Sequence, residues 1–220
     1  MGNDQILEQL IGQVSEEEVT VNAFLDSVAD NSPTPGGGSG AALAGALAAA
    51  LTQMVAGLTA GRKRYSDFDA ESREILSRAA ELRIQLTEAI AEDAAAFDSL
   101  MTAYRSKDLD EAAKSQAVEL AMIHAGEVPL NVACLSHQVA MLGQSMVQHG
   151  NANAVTDAAA AVIMAHAAVQ TAALNVKINA VDLKDRVLAK SWHEEVAALE
   201  AKTSELVETT KAAAAERGSF

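Results

Sequence analysis

A run of glycines at the start of a long uncharged segment is the feature of this sequence most suggestive of chemistry. Residues 32–40 read Ser-Pro-Thr-Pro-Gly-Gly-Gly-Ser-Gly, and an Ala- and Leu-rich helix pattern follows as far as Gly61. Because Gly36, Gly37 and Gly38 lack side chains, a ligand can approach their backbone N–H groups, with the positive end of a helix dipole behind them. The pattern predicts a site for an anion or for oxygen lone pairs. A tight turn between two closely crossing helices is the structural alternative.

Asp93 is the candidate for acid–base chemistry. It lies in a Glu-Asp-Ala-Ala-Ala-Phe segment, and Phe97, four residues later, belongs to the apolar face of the same predicted helix. A carboxylate among alanines on such a face suits a group that takes up and releases a proton. An ordinary surface acid beside Glu92 is the alternative.

Two predicted helices position these residues relative to each other. The patterns over 38–60 and 69–104 favour an antiparallel hairpin that turns near residue 65. Asp93 then lies about as far after the turn as Gly37 lies before it, because both helices rise by the same ~1.5 Å per residue. We therefore expect Asp93 beside the glycines.

A basic cluster, Arg62-Lys63-Arg64, follows the first of these helices. At ~1.5 Å per residue, Gly37 and Arg62 are separated by roughly 35 Å along one helix, too far to serve one small-molecule site in the same subunit. The cluster is a solvated turn, a separate anion site, or part of a site completed by an antiparallel partner subunit. The sequence leaves all three interpretations open.

The composition predicts an all-α fold. Aromatic residues are 3% of the chain and only three prolines interrupt it, which is typical of helices packed through small side chains. We expect one multi-helical domain over residues 1–220, with its core at about 20–210 and with long, buried Ala/Gly-rich helices. The remaining helices are predicted over 4–13, 21–29 with Thr20 as its cap, 111–127, 130–148 after a break or kink at Pro129, 155–179 and 183–213.

Three stretches, 31–61, 128–156 and 158–176, contain no Asp, Glu, Lys or Arg. A chain of this size cannot cover three such helices on every side, so the sequence favours a homodimer or a higher oligomer, with a monomer of water-tolerant alanine faces as the alternative. A membrane span over 38–60 is disfavoured because Ala and Gly dominate it. We expect that helix to be buried on all sides.

Charge and cysteine content narrow the partners and the compartment. A net charge of −14 disfavours nucleic acids and anionic membranes. The single Cys134 allows no internal disulfide, and the first residues lack a secretory pattern, so a cytoplasmic location is expected. The five histidines are scattered and no Glu-x-x-His pair occurs, so no metal is expected.

Several short motifs occur in the order seen in one enzyme family. They are Pro35 to Ser39, Gly57 to Lys63, Asp93 to Phe97, Val128 to Leu130, Gly150-Asn151, Thr156-Asp157 and Asn175 to Asn179. In these motifs the chain resembles the cyclodeaminase/cyclohydrolase family over roughly residues 20–210. That family comprises the cyclodeaminase domain of formimidoyltransferase-cyclodeaminase and stand-alone methenyltetrahydrofolate cyclohydrolases.

The resemblance implies a dimeric, all-helical enzyme that acts on a tetrahydrofolate derivative, with or without a polyglutamate tail, and that needs no further cofactor. It places the proposed acid–base aspartate at Asp93. The glycines and Ser39 would hold pterin or carboxylate oxygens, and Arg62 and Lys63 would bind the glutamate tail. Four polar residues would bind ring donors or, alternatively, link helices as buried polar groups: Asn151, Asp157, Asn175 and Asn179.

Two related reactions fit a single carboxylate. The chain length favours a cyclohydrolase that converts 5,10-methenyltetrahydrofolate to 10-formyltetrahydrofolate. The first alternative is a cyclodeaminase that releases ammonia from formimidoyltetrahydrofolate. The second is a helical folate-binding or interaction module without catalytic activity.

Overall fold

The computed structural model describes residues 20–219, and all regular structure among them is helical. A short first unit, described from Thr20 to Thr34, contains helix α1, and the second unit begins at Pro35. The α-helices of the described residues are α1 (Val21–Ala29), α2 (Gly37–Thr59), α3 (Asp69–Arg105), α4 (Glu111–His149), α5 (Val155–Ala180) and α6 (Arg186–Gly218). The all-α prediction is confirmed.

Side-chain caps fix where several helices begin. Thr20 Oγ1 accepts a hydrogen bond of 3.1 Å from the Ala23 amide, which confirms the predicted cap of α1. Asp110 and Asp185 cap α4 and α6 in the same way. The helix predicted over residues 4–13 lies outside the described residues.

Helices α2 and α3 form the predicted hairpin. A 3-10 helix, Lys63–Phe68, joins them, and Gly61 turns the chain with a φ of 74°, which suits a residue without Cβ. Asp69 accepts a hydrogen bond from the Gly61 amide and pairs with Arg73 at 2.9 Å. The Gly61 hydrogen bond, and after it Arg73, lowers the pKa of Asp69. These contacts hold the turn between α2 and α3 in one conformation. They therefore also fix which residues of the two helices lie side by side.

Helix α4 passes through Pro129 without the predicted break. Proline has no N–H, so the Ala125 carbonyl loses its usual intrahelical donor four residues later. Asn179 on α5 replaces it: Nδ2 donates a hydrogen bond of 2.7 Å to the Ala125 oxygen. The neighbouring helix therefore compensates for the proline, and one helix continues to His149.

The core of the second unit is built largely from small side chains on α2, α4 and α5. Helix α2 buries most of its alanines and Gly45, where an added Cβ would lie 2.6 Å from Ser136 Oγ on α4. The predicted burial of α2 on all sides is wrong for its larger residues, because close packing uses the small-residue side and leaves the large ones outward. Those more than one-third exposed are Leu43, Leu47, Met54 and Leu58.

Three segments are long and apolar enough to cross a membrane by length and composition alone: Gly37–Thr59, Glu111–His149 and Ala152–Ala180. In each, between 39% and 50% of the most apolar window is already buried inside the protein. These helices pack against one another in the second unit. Their apolar character is therefore used at least in part for helix packing.

Candidate functional site

Gly38 and Asp93 lie in direct contact at the N-terminal end of α2. A Cβ atom on Gly38 would lie 2.0 Å from Asp93 Oδ1 and 2.6 Å from its Cγ. The carboxylate thus occupies the space that any other residue at position 38 would need. The hairpin register accounts for this contact, and the predicted proximity of Asp93 to the glycines is confirmed.

Ser39 holds the other oxygen of the same carboxylate. Its Oγ lies 2.9 Å from Asp93 Oδ2 and 3.1 Å from the Ile90 carbonyl oxygen on α3. Ser39 is completely buried, whereas Asp93 is half-buried. Ser39 was expected to contact a substrate, but the structure directs its hydroxyl toward Asp93 and leaves no surface of the residue for a ligand.

The backbone beside Asp93 is open to a ligand. The first intrahelical hydrogen bond of α2 runs from the Gly40 amide to the Gly36 carbonyl at 2.9 Å, so the amides of Gly37 and Gly38 precede the hydrogen-bond ladder. Gly37 is exposed. The positive end of the α2 dipole therefore lies next to the Asp93 carboxylate, as the glycine pattern predicts.

Asn175 on α5 lies beside Gly37. A Cβ atom on Gly37 would lie 3.5 Å from Asn175 Nδ2, which donates a hydrogen bond of 2.9 Å to the Thr171 carbonyl. Leu174 and Ile178, on the same helix, are 65% and 67% exposed. The amide, the glycine backbone and these apolar side chains could hold a flat heterocycle with polar edges.

The remaining predicted residues divide between two ends of the fold. Asn179 lies at this end, but its Nδ2 is committed to the Ala125 carbonyl. Asn151 lies at the other end of α2, where its amide donates to Thr59 Oγ1 at 2.9 Å and its Nδ2 to the Leu58 carbonyl at 3.2 Å. Both asparagines therefore link helices.

Asp157, Arg62 and Lys63 share the end of the fold that contains Asn151. Asp157 is half-buried in the first turn of α5, where a negative charge stabilises the helix dipole. Arg62 and Lys63 are exposed just after α2. One chain thus brings together Gly36, Gly37, Gly38, Ser39, Asp93 and Asn175, but not the basic pair.

Sequence reasoning missed two relationships at the site. Ser39 was assigned to the ligand, because burial of one residue in an apolar helix is invisible in its periodicity. The role of Asn179 could have been found, since proline at 129 predicts an unpaired carbonyl at Ala125. Among residues 20–219, no group of three His, Cys, Asp or Glu side chains is placed to hold a metal ion.

Comparison with known proteins gives one consistent result. The family model for formiminotransferase-cyclodeaminase matches residues 20–198. A methenyltetrahydrofolate cyclohydrolase from Methylorubrum extorquens is 39% identical over 192 residues, covering 86% of this chain and 92% of that protein.

Cyclodeaminases are also similar to this chain. The formimidoyltransferase-cyclodeaminase of Mus musculus is 31% identical over 209 residues, but the match covers 91% of this chain and only 39% of the mouse protein. The crystal structure of formiminotetrahydrofolate cyclodeaminase from Thermotoga maritima superposes with a TM-score of 0.82 at 30% identity, covering 90% of this chain and 96% of that one.

Proposed function

This chain belongs to the formiminotransferase-cyclodeaminase family, and we propose that it is a methenyltetrahydrofolate cyclohydrolase. The observation that carries the assignment is the match to the Methylorubrum extorquens cyclohydrolase along nearly the full length of both chains. The half-buried Asp93 carboxylate supplies the acid–base group that this hydrolysis needs. It is held by Ser39 beside the glycine turn, by which we mean residues 36–38 at the start of α2.

The reaction uses Asp93 twice. Methenyltetrahydrofolate carries an electron-poor carbon between N5 and N10, to which water adds its oxygen while Asp93 takes one of the water protons. The bond between that carbon and N5 then breaks, and Asp93 returns its proton to N5. The remaining hydroxyl proton goes to solvent, and a formyl group is left on N10. One carboxylate thus acts as general base and then as general acid.

The neighbouring groups suit the pterin of the substrate. The exposed Gly37 amide offers a donor to a carbonyl or carboxylate oxygen, and Asn175 offers both an acceptor and a donor. Leu174 and Ile178 provide apolar surface for the ring faces. We assign Asn179 and Asn151 supporting roles, since their side chains already bond to backbone groups.

The protein functions as a homodimer in this proposal. The exposed stripe of α2 (Leu43, Leu47, Met54 and Leu58) and the exposed Ile163 of the neighbouring helix α5 form apolar surface that a second copy would cover. Arg62 and Lys63 lie roughly 35 Å along α2 from Gly37, so only a partner subunit could bring them to the glycine turn. There they would bind the anionic glutamate tail.

Cyclodeamination is the second candidate, and the similarity to the Thermotoga maritima cyclodeaminase favours it. In that reaction N10 attacks the formimidoyl carbon and a general acid assists the departure of ammonia. Two assays with purified protein separate the candidates: decay of the methenyltetrahydrofolate near-UV chromophore, and ammonia release from formimidoyltetrahydrofolate. The proposal expects decay above the uncatalysed rate without ammonia release; ammonia alone would establish the cyclodeaminase. Absence of activity in both assays would favour a folate-binding module without catalytic function.

A further inference from the structure

The hydroxyl of Ser39 has two acceptors and one proton. Its oxygen lies 2.9 Å from Asp93 Oδ2 and 3.1 Å from the Ile90 carbonyl oxygen, both within hydrogen-bond distance. A serine hydroxyl donates one hydrogen bond and accepts others. Because Ser39 is completely buried, solvent does not compete for that proton. The hydroxyl therefore donates to one of the two acceptors at a time.

Ser39 can hold Asp93 Oδ2 in both protonation states of the carboxyl group. When the carboxylate is ionised, Ser39 donates to Oδ2. The proton that Asp93 takes from water lies on Oδ1, because Oδ2 faces the buried Ser39 and a proton donated to Ser39 could not be returned to N5. Oδ2 is then a carbonyl oxygen and still accepts the hydrogen bond from Ser39. Alanine has no donor for Oδ2 in either state, and leaving a buried polar group without its partner is unfavourable.

We propose that Ser39 is a positioning residue that holds Asp93 in the same place before and after proton transfer, by donating its hydrogen bond to Asp93 Oδ2 and leaving Oδ1 to take up and return the proton. The inference rests on the proposed hydrolysis, in which Asp93 acts first as base and then as acid. Gly38 leaves space for Oδ1 on one side, and Ser39 restrains Oδ2 on the other. Ser39 acts on the reaction only through Asp93.

Ser39→Ala tests the inference. Without its hydrogen-bond partner the carboxylate is free to turn, and we expect kcat for methenyltetrahydrofolate decay to fall about 10- to 100-fold. KM should change by less than about twofold, because the buried residue touches no substrate. The acid limb of the profile of kcat/KM against pH should move to higher pH, since the ionised carboxylate loses a donor.

Ser136→Ala is the matched control. Ser136, on α4, is as fully buried as Ser39. It packs against Gly45 of α2, the helix that also carries Ser39. Its Oγ has no hydrogen-bond partner among the described residues. Thermal unfolding verifies that both variants are folded. If Ser136→Ala keeps the wild-type kcat and pH profile while Ser39→Ala changes both, the positioning role is supported.

Two outcomes would overturn it, and they are distinguishable. An active wild-type enzyme whose Ser39→Ala variant keeps the same kcat and acid limb would refute the role of Ser39 alone. A wild-type protein without turnover of methenyltetrahydrofolate would refute the proposed function, and this inference with it. A rise in KM at constant kcat would make Ser39 a binding residue and would contradict the positioning role.

Discussion

The carboxylate of Asp93 fills the space that a side chain on Gly38 would occupy, since a Cβ there would lie 2.0 Å from Oδ1. The glycine turn therefore has two functions in this structure. It exposes the Gly37 amide beside Asp93, and it makes room for the carboxylate of Asp93, the proposed acid–base group. A substitution at Gly38 should affect Asp93 before it affects the fold.

Gly38→Ala is expected to lower kcat about 100-fold, because the carboxylate must turn away from its place near Ser39. The atoms that clash belong to the end of a side chain, so the fold can adapt, and alanine favours a helix by about 0.5–1 kcal/mol over glycine. Steady-state kinetics and urea unfolding measure the two effects. The expected result is a folded, nearly inactive protein.

Gly40→Ala is the control for this substitution. Gly40 lies in the same helical turn, but apart from its chain neighbours and the backbone of its own helix, no atom of residues 20–219 lies within 4 Å of its Cβ position. Its kcat should equal that of the wild type. Equal losses in both variants would show that alanine disturbs the turn as a whole, and normal activity in Gly38→Ala would refute the contact argument.

Asn179→Ala should lower the free energy of unfolding by about 1–3 kcal/mol, because the part-buried Ala125 carbonyl loses the donor that replaces the missing N–H of Pro129. In a Pro129→Ala background the same change should cost much less, since residue 129 regains the N–H that normally bonds to residue 125. Urea unfolding of the four proteins measures this coupling. Equal losses in both backgrounds would contradict it.

Stability should decrease as the pH falls below about 6.5. Burial lowers the pKa of His137, with the charge of Lys202 adding to the effect. Burial also lowers the pKa of His166, whose Nδ1 lies 3.0 Å from Thr203 Oγ1. In the unfolded chain these histidines bind protons near pH 6.5, whereas in the folded protein they bind them only at lower pH. Acid therefore favours unfolding.

Urea unfolding between pH 7.5 and 5.5 tests this dependence, because most carboxylates remain ionised in that range. The loss of free energy of unfolding with falling pH should be smaller in the double variant His137→Gln and His166→Gln. An unchanged slope would assign the effect to other groups.

Arg62→Ala with Lys63→Ala should raise KM for a polyglutamylated substrate more than for the monoglutamate. If the pair acts from a partner subunit, mixing this variant with Asp93→Asn should restore activity at low KM. Only the mixed dimer then contains a site with an intact Asp93 from one subunit and an intact basic pair from the other. Steady-state kinetics on refolded mixtures provides the measurement.

Leu47→Asp, placed in both subunits, is the control for dimer formation. Leu47 is 48% exposed in the apolar stripe, so a charge there should dissociate the dimer and abolish the restoration. Ile84→Asp, at 50% exposure on α3, should leave it intact. Two results would refute the role of the basic pair. One is that mixing the Arg62→Ala, Lys63→Ala variant with Asp93→Asn restores no activity. The other is that KM changes equally for the polyglutamylated and monoglutamate substrates.

The sequence predicted the hairpin well because its signals are local. Helical periodicity, a turn near residue 65 and a constant rise per residue are enough to predict Asp93 beside the glycines. Which side of α2 is buried could not be predicted in this way. Its alanines and its leucines are both apolar, and only packing density decides that the small residues face inward.

The partners of individual polar side chains were the least predictable part of the site. Ser39 was interpreted as a ligand contact, and Asn151 and Asn179 either as ligand contacts or as buried polar links between helices. Their hydrogen bonds within the described residues instead run to Asp93, Leu58 and Ala125 on other helices. Such partners depend on long-range contacts, which periodicity and spacing along one chain do not encode.

The most direct test of the central claim is the rate of methenyltetrahydrofolate decay with wild-type protein and with Asp93→Asn. Asparagine keeps the size of the side chain and can still bond to Ser39, but it cannot accept and return a proton. We expect kcat to fall by at least about 100-fold, a typical contribution of a general acid–base group, with thermal stability nearly unchanged. Wild-type turnover in a folded Asp93→Asn variant would contradict the assignment of Asp93 as the catalytic carboxylate.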